Sequence, residues 1–359
     1  MADAPEDLKR RVAAKAEELG FDAFGVARAD VPLGVEHDRY LAFVEAGKHG
    51  AMGYLAQDPE ARRRLDGDAI LPGAKSVLCL ARRYQRSAEA ERADPPLSQL
   101  IARYARGHDY HNHVRKKLRL LAKFVRGLGP DVRARPLCDE EPVLERAWAS
   151  RSGLGFVGKN GLVIVPGQGS FLLLGEVVTT LSLPPDEPMA ERCGSCTRCL
   201  DACPTAAFDA PFALDPRKCV AYLTIEDPLG PAGEARDRVG ERLFGCDDCQ
   251  TVCPYNKTPA SPHARTRPFE PLEAQRTASL ADLVAFDEQA FLSFALGSPL
   301  RRAGRAGLAR SAALVARARL ERAARGGDVT NEQRSDAERA LEIAREHEVE
   351  VVRAASRRA

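Results

Sequence analysis

The sequence predicts an α+β protein in three parts: an N-terminal α/β region of mixed helix and strand, a cysteine-rich middle and a helical tail. Three observations carry this. Strand-like apolar runs alternate with helical stripes over residues 1–183, eight of the ten cysteines crowd between Cys193 and Cys253, and the chain beyond about residue 266 turns rich in Ala, Arg, Leu and Glu. At 359 residues it is long enough for two or three domains, with divisions expected at 1–183, 184–265 and 266–359.

Leu8, Val12, Ala16 and Leu19 recur at helical spacing, Gly20 supplies a stop, and FDAFGVA then reads as a strand. SVLCLA (Ser76–Ala81) follows the turn signal Pro72-Gly73 and reads as a second strand. Val114, Leu118, Leu121 and Val125 stripe a helix, and LVIV (Leu162–Val165) and FLLLGEVVTTLSL (Phe171–Leu183) read as strands separated by the glycine-rich PGQGS. Cys79 and Cys138 are expected as small core residues. In the tail, SPLRRAGRAGLARSAALVARARLERA and SDAERALEIAREHEVEVVRAASRRA read as successive helices of a small α-repeat.

Lys plus Arg number 53 and Asp plus Glu 51, so the net charge of +2 favours no class of partner and local charge must decide. No window reaches the roughly 18–20 apolar residues that cross a bilayer, and MADAPEDLKRRV lacks a charged-then-apolar signal, so a cytoplasmic protein with no membrane contact is expected. Between Arg103 and Pro136 there are ten Lys or Arg against two acids, interleaved with Tyr104, Tyr110, His108, His111 and His113; between Arg301 and Arg325 there are eight arginines and one acid. Such stretches either position a phosphate backbone or are solvated helix faces.

CGSCTRCLDACP, Cys193 to Pro204, spaces four cysteines C-x2-C-x2-C-x3-C before proline. In the bacterial ferredoxin arrangement the first three thiolates hold one 4Fe-4S cube and the fourth serves a second. GCDDCQTVCPYN supplies Cys246, Cys249 and Cys253 before Pro254, and Cys219 stands between the motifs as the eighth ligand. The count closes with Cys193, Cys196, Cys199 and Cys253 on one cluster and Cys203, Cys219, Cys246 and Cys249 on the other. A pair of structural zinc sites is the alternative. Two cubes pass electrons singly and need a second cofactor or partner to receive them. GLGFVGKNG (Gly153–Gly161) is either a backbone approach to a planar ligand or a tight loop.

Taken together, ELGFDAFGVARAD, LPGAKSVLCLARRY, RYARGHDYH, CDEEPVLERAWASRSGLGFVGKNGLVI, GSFLLLGEVVTTL, CVAYLTIED and the two cysteine motifs resemble the epoxyqueuosine reductase family, oxidoreductases of tRNA queuosine biosynthesis. The resemblance implies a cobalamin between the N-terminal domain and a ferredoxin-like two-cluster domain, followed by a HEAT-like helical repeat. It further implies a tRNA partner engaged at the anticodon region, an external electron donor and a monomer. By family position Asp139 is the proton donor, its pKa to be raised by burial or by a neighbouring carboxylate, with Glu140 and Glu141 adjacent; capping of a helix beginning at Pro142 is the plain alternative. Cobalamin contacts by the same route are Arg64, Asp139, Lys159, Val163, Thr224, Cys246 and Asp247. Two rivals remain: a reductive dehalogenase-like cobalamin enzyme acting on a small molecule, and an electron-carrier module with no substrate of its own.

Overall fold

The computed structural model describes residues 4–257 and 267–357, so the division expected at 265–266 lies outside the described residues. The run Ser76–Arg83 is buried at every position, which requires cover on both faces. It is β2 of a sheet made with β1 (Ala23–Arg28), β3 (Ala134–Leu137) and, after the two-residue strands β4 (Phe156–Val157) and β5 (Val163–Ile164), β6 (Leu172–Thr179). The order is β1-β2-β6-β3 and every pair is antiparallel. The layering expected as α/β is therefore α+β: long connections return each strand in the opposite sense. β3 escaped the sequence reading because it is an edge strand carrying Arg135 and Pro136, where a missing N–H costs no ladder bond.

Helices α1 (Pro5–Glu18) and α2 (Tyr110–Arg126) cover one face of this sheet. The stripe Val114, Leu118, Leu121 and Val125 is fully buried there against Leu78, Leu80 and Val177. Helix α3 (Glu145–Arg151) covers the other face, with Trp148 among Val77, Cys79 and Val178. LVIV contributes only β5, which pairs with β4 outside the sheet. Its glycines serve that hairpin: a Cβ on Gly155 would lie 2.5 Å from the Ile164 carbonyl oxygen, so GLGFVGKNG is a tight loop closing on protein.

The short helices of the middle region include α4 (Arg198–Asp201), α5 (Val220–Ile225) and α6 (Asp248–Thr251). The tail adds α7 (Leu280–Ala285), α8 (Gly304–Ala324), α9 (Asn331–Arg345) and α10 (Glu350–Ser356). Ser279 with Asp282 and Thr330 with Gln333 form capping boxes that fix the starts of α7 and α9. Alanines 312, 313, 316, 337, 340 and 344 let α8 and α9 approach closely, and their core also takes in Leu97, Ile101, Leu243 and Phe244 from the earlier regions.

Candidate redox and acid–base site

The two thiolate loops end in single-turn helices, α4 and α6, which contact each other and bring the cysteine motifs together. Cys193, Cys196, Cys199 and Cys253 line one cavity of about 290 Å³, walled also by Ile164, Pro254 and Tyr255. Lys159 straddles the first loop, donating from Nζ to the carbonyls of Gly194 at 2.5 Å and Cys196 at 3.1 Å. The other four thiols form a second group: burial raises Cys249, whose neighbours are Cys219 and Cys246, and burial likewise raises Cys219, which feels Cys203. Cys249 also feels Cys199, so the quartets adjoin.

Burial pushes the Cys193 thiol up to about 11 and Cys246 to about 12. Thiols of that kind are inert until a metal replaces the proton, which is how a ligand set behaves without its metal. No three His, Cys, Asp or Glu among the described residues converge closely enough for one ion. A cavity walled by four thiols has the donor set that a tetrahedral zinc ion or an iron–sulfur cluster uses.

A second constellation forms where β3 ends. Asp139 has φ 63°, in the left-handed region, and its N–H donates to Glu145 Oε1 at 2.9 Å. Asp109 caps α2: its Oδ1 accepts the His111 backbone N–H at 3.0 Å and lies 2.7 Å from His111 Nδ1. That bond turns Nε2 towards Asp139 Oδ2, 2.7 Å away, and the Tyr110 hydroxyl donates to the same oxygen at 3.2 Å. Burial pulls the His111 pKa down, but the bonds to Asp109 and Asp139 outweigh it and carry the value to about 9. Asp139 is held below its ordinary value, first by the His111 hydrogen bond and against the effect of burial. Glu145 rises to about 7, through burial and then the Asp139 charge. Glu176, in the centre of β6, is fully buried, has neither carboxyl oxygen partnered among the described residues, and burial pushes its pKa well above the ordinary carboxylate value.

These facts correct the expected state of Asp139. Its carboxylate is ionised near neutral pH, and the protons sit on His111 and, in part, on Glu145. Glu140 faces Arg115 at 2.6 Å and Glu141 accepts the Cys138 N–H, while the leading influences on Asp139 are the His111 hydrogen bond and, against it, burial. No helix starts at Pro142; α3 begins at Glu145 after Leu144, and the capping alternative falls. In the sequence His111 stands in a basic stretch and in the family segment RYARGHDYH, without an acid–base role. The signal for its role was Asp109 two residues earlier at a helix start.

The remaining family-derived positions fall into three places. Arg64 is exposed and pairs with Asp66 at 2.8 and 2.9 Å. Lys159 and Val163 belong to the β4–β5 hairpin. Thr224, Cys246 and Asp247 gather at the second thiolate loop, where Thr224 Oγ1 accepts the Gly245 N–H at 3.0 Å and Asp247 accepts the Arg103 N–H at 2.8 Å. Burial raises Tyr104 first, and the charges of Asp247 and Asp139 both add to it, so that loop borders the acid–base corner.

The two basic stretches differ. Lys116, Arg119 and Lys123 stand exposed along one face of α2 with no ion pair among the described residues. In the tail, Arg310 donates to the carbonyls of Asp227 and Leu223, Arg317 pairs with Asp237, and Arg319 and Arg322 with Glu241, whereas Arg302 pairs with Glu226 but keeps 55% of its side chain exposed. The stretch Arg301–Arg325, expected either to face a phosphate backbone or to be a solvated helix face, is thus in large part an internal staple onto the middle region. Among the described residues no helix is long and apolar enough to cross a membrane.

A family model for a 4Fe-4S double cluster binding domain matches residues 192–256, and one described as epoxyqueuosine reductase QueG, DUF1730, matches residues 64–140. An epoxyqueuosine reductase of Pseudomonas aeruginosa is 41% identical over 304 residues, covering 84% of this chain and 82% of the relative. One from Gloeobacter violaceus is 39% identical, covering 84% and 93%. Among solved structures, an epoxyqueuosine reductase with an epoxyqueuosine-modified tRNA-Tyr stem loop matches with TM-score 0.79 and 30% identity, over 98% of this chain and 89% of that one. The Bacillus subtilis epoxyqueuosine reductase with its catalytic aspartate loop swung out of the active site gives the same TM-score, identity and coverage. With mixed helix and sheet in that arrangement, a double-cluster domain and relatives of this identity over most of both lengths, the chain belongs to the epoxyqueuosine reductase family of oxidoreductases.

Proposed function

We propose that this protein reduces the epoxide of epoxyqueuosine at the wobble position of tRNA to the alkene of queuosine, consuming two electrons and two protons and releasing the oxygen as water. The observation that carries this is the Asp109–His111–Asp139 chain, a charged proton store placed beside the second thiolate loop.

Opening an epoxide makes an alkoxide, which leaves only if protonated. Asp139 Oδ2 accepts from His111 Nε2, so a proton can pass from the imidazolium through this carboxylate to the departing oxygen. Asp109 fixes the imidazole orientation, and Glu145 holds the Asp139 backbone in its left-handed turn while storing a second proton. The electrons come from an external donor. In this reading Cys193, Cys196, Cys199 and Cys253 ligate one 4Fe-4S cluster and Cys203, Cys219, Cys246 and Cys249 the other, and such clusters supply electrons singly. Cobalamin would be held at the junction of the N-terminal and middle regions by Thr224, Cys246 and Asp247, with Arg64, Lys159 and Val163 as further family-derived contacts, and supplies a strongly reducing centre for C–O cleavage. Domains at 1–183, 184–265 and 266–359, the last a HEAT-like repeat, complete the proposal. Lys116, Arg119 and Lys123 lead away from His111 along α2 as a track for the tRNA backbone.

The test is anaerobic: protein reconstituted with iron, sulfide and cobalamin receives reductant and epoxyqueuosine-containing tRNA, and the nucleosides are separated. Queuosine should accumulate. Unreacted epoxyqueuosine in a preparation with both cofactors spectroscopically present refutes the assignment.

A further inference from the structure

Tyr54 and Arg302 come from distant parts of the chain and meet beside the acid–base corner. The tyrosine is 46% exposed and belongs to no core cluster, and the Arg302 guanidinium carbon stands 5.4 Å from its ring centroid. Arg302 is oriented in turn by Glu226, which accepts from Nε at 3.0 Å and Nη2 at 2.9 Å. The backbone leading to the ring is fixed as well: the Tyr222 hydroxyl, from α5, accepts the Ala51 N–H at 2.8 Å, and a Cβ on Gly50 would lie 2.3 Å from that oxygen. Asp139 is near enough for its charge to be felt by both Tyr54 and Arg302.

A half-open aromatic ring, backed by a fixed cation and adjoining the proton donors, adds little to folding. It has the composition of a nucleotide subsite, because every base offers a π-face and its phosphate an anion. We propose that the bicyclic base of the target nucleotide, swung out of its stack, lies on Tyr54, and that Arg302 holds the adjoining phosphate. This rests on the reading that the protein acts on a tRNA nucleotide. The ring would set the depth at which the substituent carrying the epoxide meets Asp139.

The experiment measures binding of a labelled anticodon stem–loop to the cofactor-loaded protein by anisotropy. Tyr54→Ala should weaken binding by roughly 5- to 100-fold, the range of one base stack, and Tyr54→Phe should bind within about twofold of the parent. Iron content and the cobalamin absorption spectrum should be the same in all three proteins. Arg302→Met should reduce the slope of log affinity against log salt by about one. Against a stem–loop abasic at the target position, parent and Tyr54→Ala should bind alike. Unchanged affinity in Tyr54→Ala, a difference that persists on the abasic RNA, or loss of the cobalamin spectrum in that variant overturns the subsite. Turnover by the parent protein is scored separately: failure there with the base-dependent loss intact removes the proposed reaction and leaves the subsite standing.

Discussion

Helices α2 and α8 carry similar loads of positive charge and use them in opposite ways. On α2 the cations Lys116, Arg119 and Lys123 occupy the face opposite the buried stripe and remain free for a partner. On α8 the side chains of Arg310, Arg317 and Arg319 are nearly inaccessible and end on carbonyls and carboxylates of residues 223–241. Charge density in a sequence therefore says how much charge a segment brings, and the neighbours decide whether any is left over. The same contrast reaches the chemistry. The first turn of α2 delivers His111 to Asp139, while α8 grips the carbonyl of Leu223 in α5, the helix that starts directly after Cys219.

The contrast is sharpened most at the start of α2. His111→Gln and Asp139→Asn should each lower single-turnover epoxide reduction by about 10²- to 10⁴-fold, the scale of a lost general acid, with iron, cobalamin and RNA affinity retained. Activity within threefold of the parent in Asp139→Asn would move proton delivery to another group.

Next comes the α8 staple. Arg310→Met leaves the buried Leu223 carbonyl and the half-buried Asp227 carbonyl without this donor, which should cost about 2 kcal/mol and several degrees of Tm. Iron bound per chain should fall towards half as α5 loosens around Cys219. A Tm equal to the parent's would make α8 as free as α2 and dissolve the comparison.

A smaller effect is expected on α2 itself. Lys116→Ala with Arg119→Ala should change stability by less than about 0.5 kcal/mol, yet reduce the log–log salt slope of tRNA binding by about two. An unaltered slope would remove this helix from the RNA path.

A further effect is in pH. The folded-state value of about 9 for His111 exceeds its usual 6.5, so the folded protein binds the extra proton. This contribution is fully present below pH 6.5 and is lost as pH rises through about 9. Urea titrations should show stability declining across that window, and His111→Gln should flatten the decline.

Parts of this architecture were legible because their signals are local. The cysteine spacing, the α2 stripe and the β1, β2 and β6 runs depend on chain geometry over a few residues, and the structure holds each element there. β3 was not legible, since Arg135 and Pro136 carry no strand pattern and pair only because β6 offers a free edge. Asp139 was named through resemblance, but its charge state was misjudged. Glu140 and Glu141 are its neighbours along the chain, whereas His111 and Glu145 are its neighbours in space.

By itself the sequence determined the thiolate inventory, the buried stripes and where cations and carboxylates occur, because covalent spacing and side-chain period are properties of the chain. The tertiary structure alone decided which of those charges face each other: that Asp139 is ionised and His111 holds the proton, that Arg310 is spent on α5, and that Lys116 is not. Electrostatic energies depend on separation and burial, and both are set only when distant segments are packed together.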